Sequence, residues 1–140
     1  MRKTVFFVGI SHKNNKNWET LEAFSSETNS WKIIDKIEKC LEWVEIYKTN
    51  LVDFTPTDIK GKIRYPNILE MQNWLKNLEK EIEKFSPNKV IIFWRKIYDF
   101  VISKTILEKS IFIYAYHPSY IAVYKRKEEE KYINDIISKI

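Results

Sequence analysis

Short runs of consecutive apolar residues alternate along this chain with longer stretches where apolar residues recur every three or four positions. Thr4–Ile10 (TVFFVGI) is a continuous apolar run, the pattern of a strand covered on both faces. Over Trp31–Trp43 and just beyond, Ile33, Ile34, Ile37, Cys40, Leu41 and Val44 predict a helix with one apolar face, with Cys40 on it as an inert thiol. Glu45–Leu51 (EIYKTNL) reads as a second strand. Pro66-Asn67 then opens a long helix, and Asn67 with Glu70 three residues on has the form of a capping box. Met71, Leu75, Leu78, Ile82 and Phe85 mark its buried face, and Ser86-Pro87-Asn88 stops it. Val90–Trp94 (VIIFW) is the third strand, Ile97–Ser103 a short helix and Ile111–Tyr116 (IFIYAY) the fourth strand. Glu128–Ile140 closes the chain as a helix carrying Ile133, Ile136, Ile137 and Ile140.

Strands and helices thus alternate four times. That order predicts a three-layer α/β/α fold around a four-stranded parallel sheet, because right-handed crossovers put helices on both faces. Open sheets of this kind bind ligands outside the carboxyl ends of their strands. The segments to search for chemistry are therefore 11–30, 52–66, 94–96 and 117–127.

Composition narrows the reading. The 140 residues are 44% hydrophobic and 31% charged, which suits one folded domain over 1–140. No apolar run approaches the ~18 residues of a membrane span, and the first strand follows Met1-Arg2-Lys3 too closely for a signal peptide, so a cytoplasmic monomer is expected. A lone cysteine excludes an internal disulfide and any all-cysteine metal site. Gly9 and Gly61 are too few for a phosphate-binding glycine loop. Two histidines, His12 and His117, make no metal site, so neither metal nor cofactor is expected. The net charge of +5 falls in the four segments named above, most of it in Arg95 with Lys96 and in Lys125, Arg126 and Lys127. An electropositive rim suits an anionic polymer. Five Trp, eight Tyr and eight Phe exceed what one core of this size commonly uses, which leaves aromatic residues for stacking or for an unusually aromatic core.

Three strand-end segments carry candidate chemistry: Gly9-Ile10-Ser11-His12-Lys13-Asn14, Thr49-Asn50-Leu51-Val52 and Tyr116-His117-Pro118-Ser119-Tyr120. Between the first two lies Ala23-Phe24-Ser25, ahead of a helix bearing Lys32-Ile33-Ile34-Asp35. With Ser86-Pro87-Asn88-Lys89-Val90-Ile91-Ile92, these five segments resemble, in order, motifs of the uracil-DNA glycosylase superfamily. Read alone, His117 is a structural histidine, Asn50 a turn residue and Phe24 a core residue. The resemblance implies other roles. His117 would donate to the pyrimidine O2, Asn50 would read the uracil edge through its amide, and Phe24 would stack on the ring. The backbone after Gly9, with Ile10, Ser11 and His12, would line the pocket and hold the attacking water. Lys13, Arg95, Pro118, Ser119, Tyr120, Lys125, Arg126 and Lys127 would meet DNA, single- or double-stranded, with Tyr120 as a wedge.

Such chemistry needs these residue types. Breaking an N-glycosidic bond sends negative charge onto the base oxygens, where donors aimed in advance in a dry pocket stabilise it. The base must also leave the stack to be reached. The first segment departs from the family: Ile10 and Ser11 stand where active members carry a carboxylate or asparagine, and His12 replaces the usual proline. Ser11 can hold water but supplies no negative charge. The iron–sulfur cluster of one branch finds no ligand set here, since Cys40 is the sole cysteine. Two readings follow: a monofunctional glycosylase acting on uracil or a related deaminated base, and a relative without water activation that binds DNA or a protein. A third, another nucleotide-binding α/β family, lacks the glycine-rich loop it would need.

Overall fold

The computed structural model describes residues 3–11, 31–52, 58–61 and 66–140. Among them run β1 (Lys3–Ser11), α1 (Trp31–Cys40), β2 (Val44–Val52), α2 (Ile68–Phe85), β3 (Lys89–Ile92), α3 (Arg95–Lys104), β4 (Phe112–Tyr114), α4 (Pro118–Tyr124) and α5 (Glu129–Ser138). The four strands form one parallel sheet in the order β2-β1-β3-β4. The chain moves from β1 to β2 on one side and then crosses to β3 on the other. This reversal makes the carboxyl ends of β1 and β3 the switch point where such sheets open a crevice.

Alternation along the strands sorts the core into two layers. Val5 and Phe7 of β1, with Ile91 of β3 and Phe93 just after it, pack under Ile33, Ile34 and Ile37 of α1, Ile121 of α4 and Ile133 and Ile136 of α5. Phe6, Val8, Val90 and Ile92 face the other way, onto Leu75, Leu78 and Ile82 of α2 and Ile97 and Val101 of α3. Because both faces are covered, the central strands β1 and β3 read as apolar runs, while the edge strand β2 carries polar residues, and the predicted three-layer architecture is the one observed.

Local signals explain the helix bounds. Asn67 Oδ1 accepts from the Glu70 N–H at 2.8 Å while Glu70 Oε1 accepts from the Asn67 N–H at 3.0 Å, the reciprocal box expected from sequence. At the other end of α2, Ser86 takes a left-handed conformation (φ 46°) and its N–H donates to the Ile82 carbonyl at 2.8 Å. Glu79 of α2 ties down the end of α3, accepting from Thr105 Oγ1 at 2.8 Å and the Ile106 N–H at 3.0 Å.

Several expectations need correction. Helix α1 ends at Cys40, whose thiol is exposed, and Leu41 takes the buried place. At 100° per residue the stripe Ile33, Ile34, Ile37, Leu41 leaves Cys40 on its flank. Phe85 is half-exposed rather than buried, and its ring lies 4.9 Å from that of Tyr47 at the sheet edge. Strand β3 stops at Ile92, and Trp94 starts a helix instead of ending a strand. The largest difference is in 117–127, read only as the segment between the fourth strand and the final helix: it holds the whole of α4, and a 3-10 turn over Arg126–Glu128 follows.

Candidate active site at the carboxyl edge of the sheet

Backbone register brings the first two motif segments together. Gly9 of β1 pairs with Asn50 of β2, and Ser11 pairs with Val52, so both strands run on past the positions expected to open loops. Ile10 and Ser11 are therefore strand residues. Beyond β3, the Phe93 N–H donates to the Val8 carbonyl at 3.2 Å; beyond β4, the Ala115 N–H donates to the Ile92 carbonyl at 3.1 Å. These bonds extend the ladder and deliver Trp94 and His117 to the same edge as Gly9 and Asn50. The Trp94 and His117 rings lie 5.2 Å apart, inclined by 45°.

The backbone around His117 is held from two directions. Its carbonyl accepts the Tyr120 N–H at 3.0 Å, which starts the first turn of α4, and Pro118 is buried beneath it. Proline suits that first turn, having a fixed φ and no N–H to satisfy. One residue upstream, the Tyr132 hydroxyl of α5 donates to the Tyr116 carbonyl. Burial, with a smaller contribution from Tyr114, pushes the Tyr132 hydroxyl far above the ordinary tyrosine range, so it stays a donor at every working pH.

The expected basic contacts are less concentrated than the sequence implies. Lys125, Arg126 and Lys127 follow α4, and a seven-residue helix sets them about 10 Å from His117. Arg95 lies at the strand mouth itself, at the start of α3, where its Nε pairs with Asp99 Oδ1 at 3.1 Å and its guanidinium sits 5.3 Å from the Tyr114 ring. Tyr120 is exposed, as a DNA contact requires. His12, Lys13 and Phe24 lie outside the described residues, as do the side chains of Ile10, Ser11, Asn50 and Ser119.

Three aromatic residues escaped the sequence reading, Trp94 against His117, Tyr132 behind Tyr116 and Tyr124 beyond Tyr120, and Tyr116, though in a candidate segment, was given no role. The last two carried a signal, because 116, 120 and 124 are spaced at one helical turn.

The family profile described as "Uracil DNA glycosylase superfamily" matches residues 2–140, nearly the whole chain. The chain belongs to the uracil-DNA glycosylase superfamily. No curated protein matches the sequence. Among solved structures, that of wild-type SMUG2 from Pedobacter heparinus is similar at a TM-score of 0.68 and 16% identity, covering 98% of this chain and 74% of that one. At that identity the likeness carries the fold, and the four-stranded parallel sheet is common to both. The superfamily is one of DNA glycosylases, hydrolases that act on DNA. Against its cluster-bearing branch, this member has one thiol, exposed at the end of α1, and the donor set does not fit an iron–sulfur cluster.

Proposed function

We propose that this protein is a monofunctional DNA glycosylase that removes uracil or a related deaminated base and leaves an abasic site. The observation that carries the reading is the placement of Gly9 of β1, Asn50 of β2 and His117 just beyond β4 at one carboxyl edge of the sheet, in a chain of this superfamily. In this reading the target base is turned out of the strand, with Phe24 as its stacking wall and Asn50 reading its edge. As the bond between the sugar C1′ and the base nitrogen breaks, electrons pass to the base and His117 donates a hydrogen bond to the pyrimidine O2. Water, held by Ser11 and the backbone after Gly9, adds its oxygen to C1′, and its proton ends on the departing base. Trp94 supports the imidazole from one side. Nothing in the reaction calls for a lysine nucleophile or a metal.

One observation favours a second reading. Ile10 and Ser11 are held in the β1–β2 ladder and bring no carboxylate to the water, so a relative that binds DNA or a protein without cleaving the glycosidic bond also fits. Incubation with oligonucleotides containing a single uracil, hypoxanthine or xanthine, followed by alkali, separates the two. Strand scission at uracil that His117→Ala lowers by about 10²-fold or more supports the glycosylase. Salt-sensitive binding with no scission at any of the three bases supports the second reading.

A further inference from the structure

Helix α4 presents an unusual outer face. Pro118 and Ile121 point into the core, while Tyr120 and Tyr124, one turn apart, point away from it. Tyr116 extends the line by a further turn. The Tyr116 and Tyr120 rings stack at 5.6 Å with 26° between their planes, and Tyr120 meets Tyr124 at 5.5 Å. Behind Tyr116 the row continues through Tyr114 to Tyr98, at 5.8 Å for each step, with Arg95 over both rings. The three outer rings are 57%, 42% and 73% exposed, so the core does not account for them. One end of the row adjoins His117, and the other ends at Lys125, Arg126 and Lys127.

We infer that this tyrosine row is a second binding surface, which takes two or three unpaired nucleotides flanking the base held at the carboxyl edge. The inference rests on the glycosylase reading for its starting point at His117, and on its own geometry for the rest. Aromatic faces beside a basic track form the pattern that binds single strands, because every base offers a π-face whatever its identity. Bases in a duplex have both faces occupied by their neighbours and cannot use such a row. The basic turn after α4 then serves as a phosphate contact at the far end of the track. A hollow of about 400 Å³ beside the row is lined by Glu128 and Asp135 as well as Lys125 and Lys131. Its two carboxylates, matched in charge by the two ammonium groups, accept hydrogen bonds from base N–H groups, the thymine imide among them, which favours bases turned inward there.

The test is the affinity of the intact protein for an unmodified twelve-nucleotide oligo(dT) and for a duplex of the same length, at one fixed salt concentration. Uracil release from a uracil-containing trinucleotide, too short to cover the row, is followed in parallel. Tyr124→Ala is expected to weaken oligo(dT) binding by roughly ten-fold, with Tyr124→Phe close to wild type and duplex binding unmoved by either change. Equal oligo(dT) affinity in wild type and Tyr124→Ala, or no oligo(dT) binding by the folded wild type, overturns the inference even if the trinucleotide loses its uracil. Tyrosine-dependent binding without uracil release, from the trinucleotide or from a uracil-containing strand of twelve nucleotides, upholds the row and counts against the glycosylase reading instead.

Discussion

His117 owes its position to its neighbours rather than to its own chemistry. The Tyr132 hydroxyl holds the carbonyl of Tyr116, Pro118 is buried beside it, and Trp94 lies against the imidazole. Tyr132→Phe removes one donor and leaves the Tyr116 carbonyl short of a partner, at a cost of about 1–3 kcal/mol. If the bond positions His117 for the departing base, the variant also loses turnover with little change in KM, while a residue that matters only for folding lowers Tm alone. Steady-state kinetics at a temperature well below both melting points distinguishes these outcomes. His117 and Asn50 were legible as site residues because each sits in a short motif at a strand end. Trp94 and Tyr132 were not, since an aromatic next to an apolar run looks like core until the partner it touches is known.

At the scale of elements, strands and long helices followed their apolar periodicity closely, and the capping box at Asn67 marked the start of α2. Asn67→Ala should cost about 1 kcal/mol, read as a shift in the urea midpoint without a change in slope. Glu79→Ala removes the acceptor that joins α2 to Thr105 and Ile106, and a similar loss is expected from the same measurement. Helix α4 was the element the sequence concealed. Only Pro118 and Ile121 turn inward among the residues whose burial is described, so its apolar period is too short to register, and tyrosines occupy the exposed positions. The charged run after it therefore read as part of the strand-end segment at the mouth. In the fold, the same residues sit one helix away.

For the whole molecule, the sheet order β2-β1-β3-β4 decides where chemistry can occur, and the aromatic content decides how the fold responds to alkali. Tyr132 and Tyr114 are both held protonated above the ordinary tyrosine value, chiefly by burial. The unfolded chain releases those protons near pH 10 while the folded chain keeps them, so stability is full below pH 10 and falls as pH rises beyond it. For the deeply buried Tyr132 the loss approaches about 1.4 kcal/mol per pH unit, while Tyr114, only partly buried, adds little to it. Urea melts at pH 9, 10 and 11 should show it, and Tyr132→Phe should flatten the decline.

Removing the charges of Lys125, Arg126 and Lys127 together should lower the steepness with which DNA affinity falls with salt, by roughly 0.7 in log–log slope for each contact on a single strand. An unchanged slope would place the backbone elsewhere.

The central claim is that Asn50 and His117, brought to one edge by the β1–β2 register and the β4–α4 junction, serve base removal. The most direct measurement is the intact mass of a uracil-containing strand after incubation with wild-type protein, Asn50→Ala and His117→Ala. The account predicts that wild-type protein yields an unbroken strand in which a hydroxyl has replaced the base, and that both variants leave most of the uracil in place. A strand of unchanged mass after prolonged incubation with folded, DNA-bound wild-type protein would contradict it, as would base loss equally fast in all three.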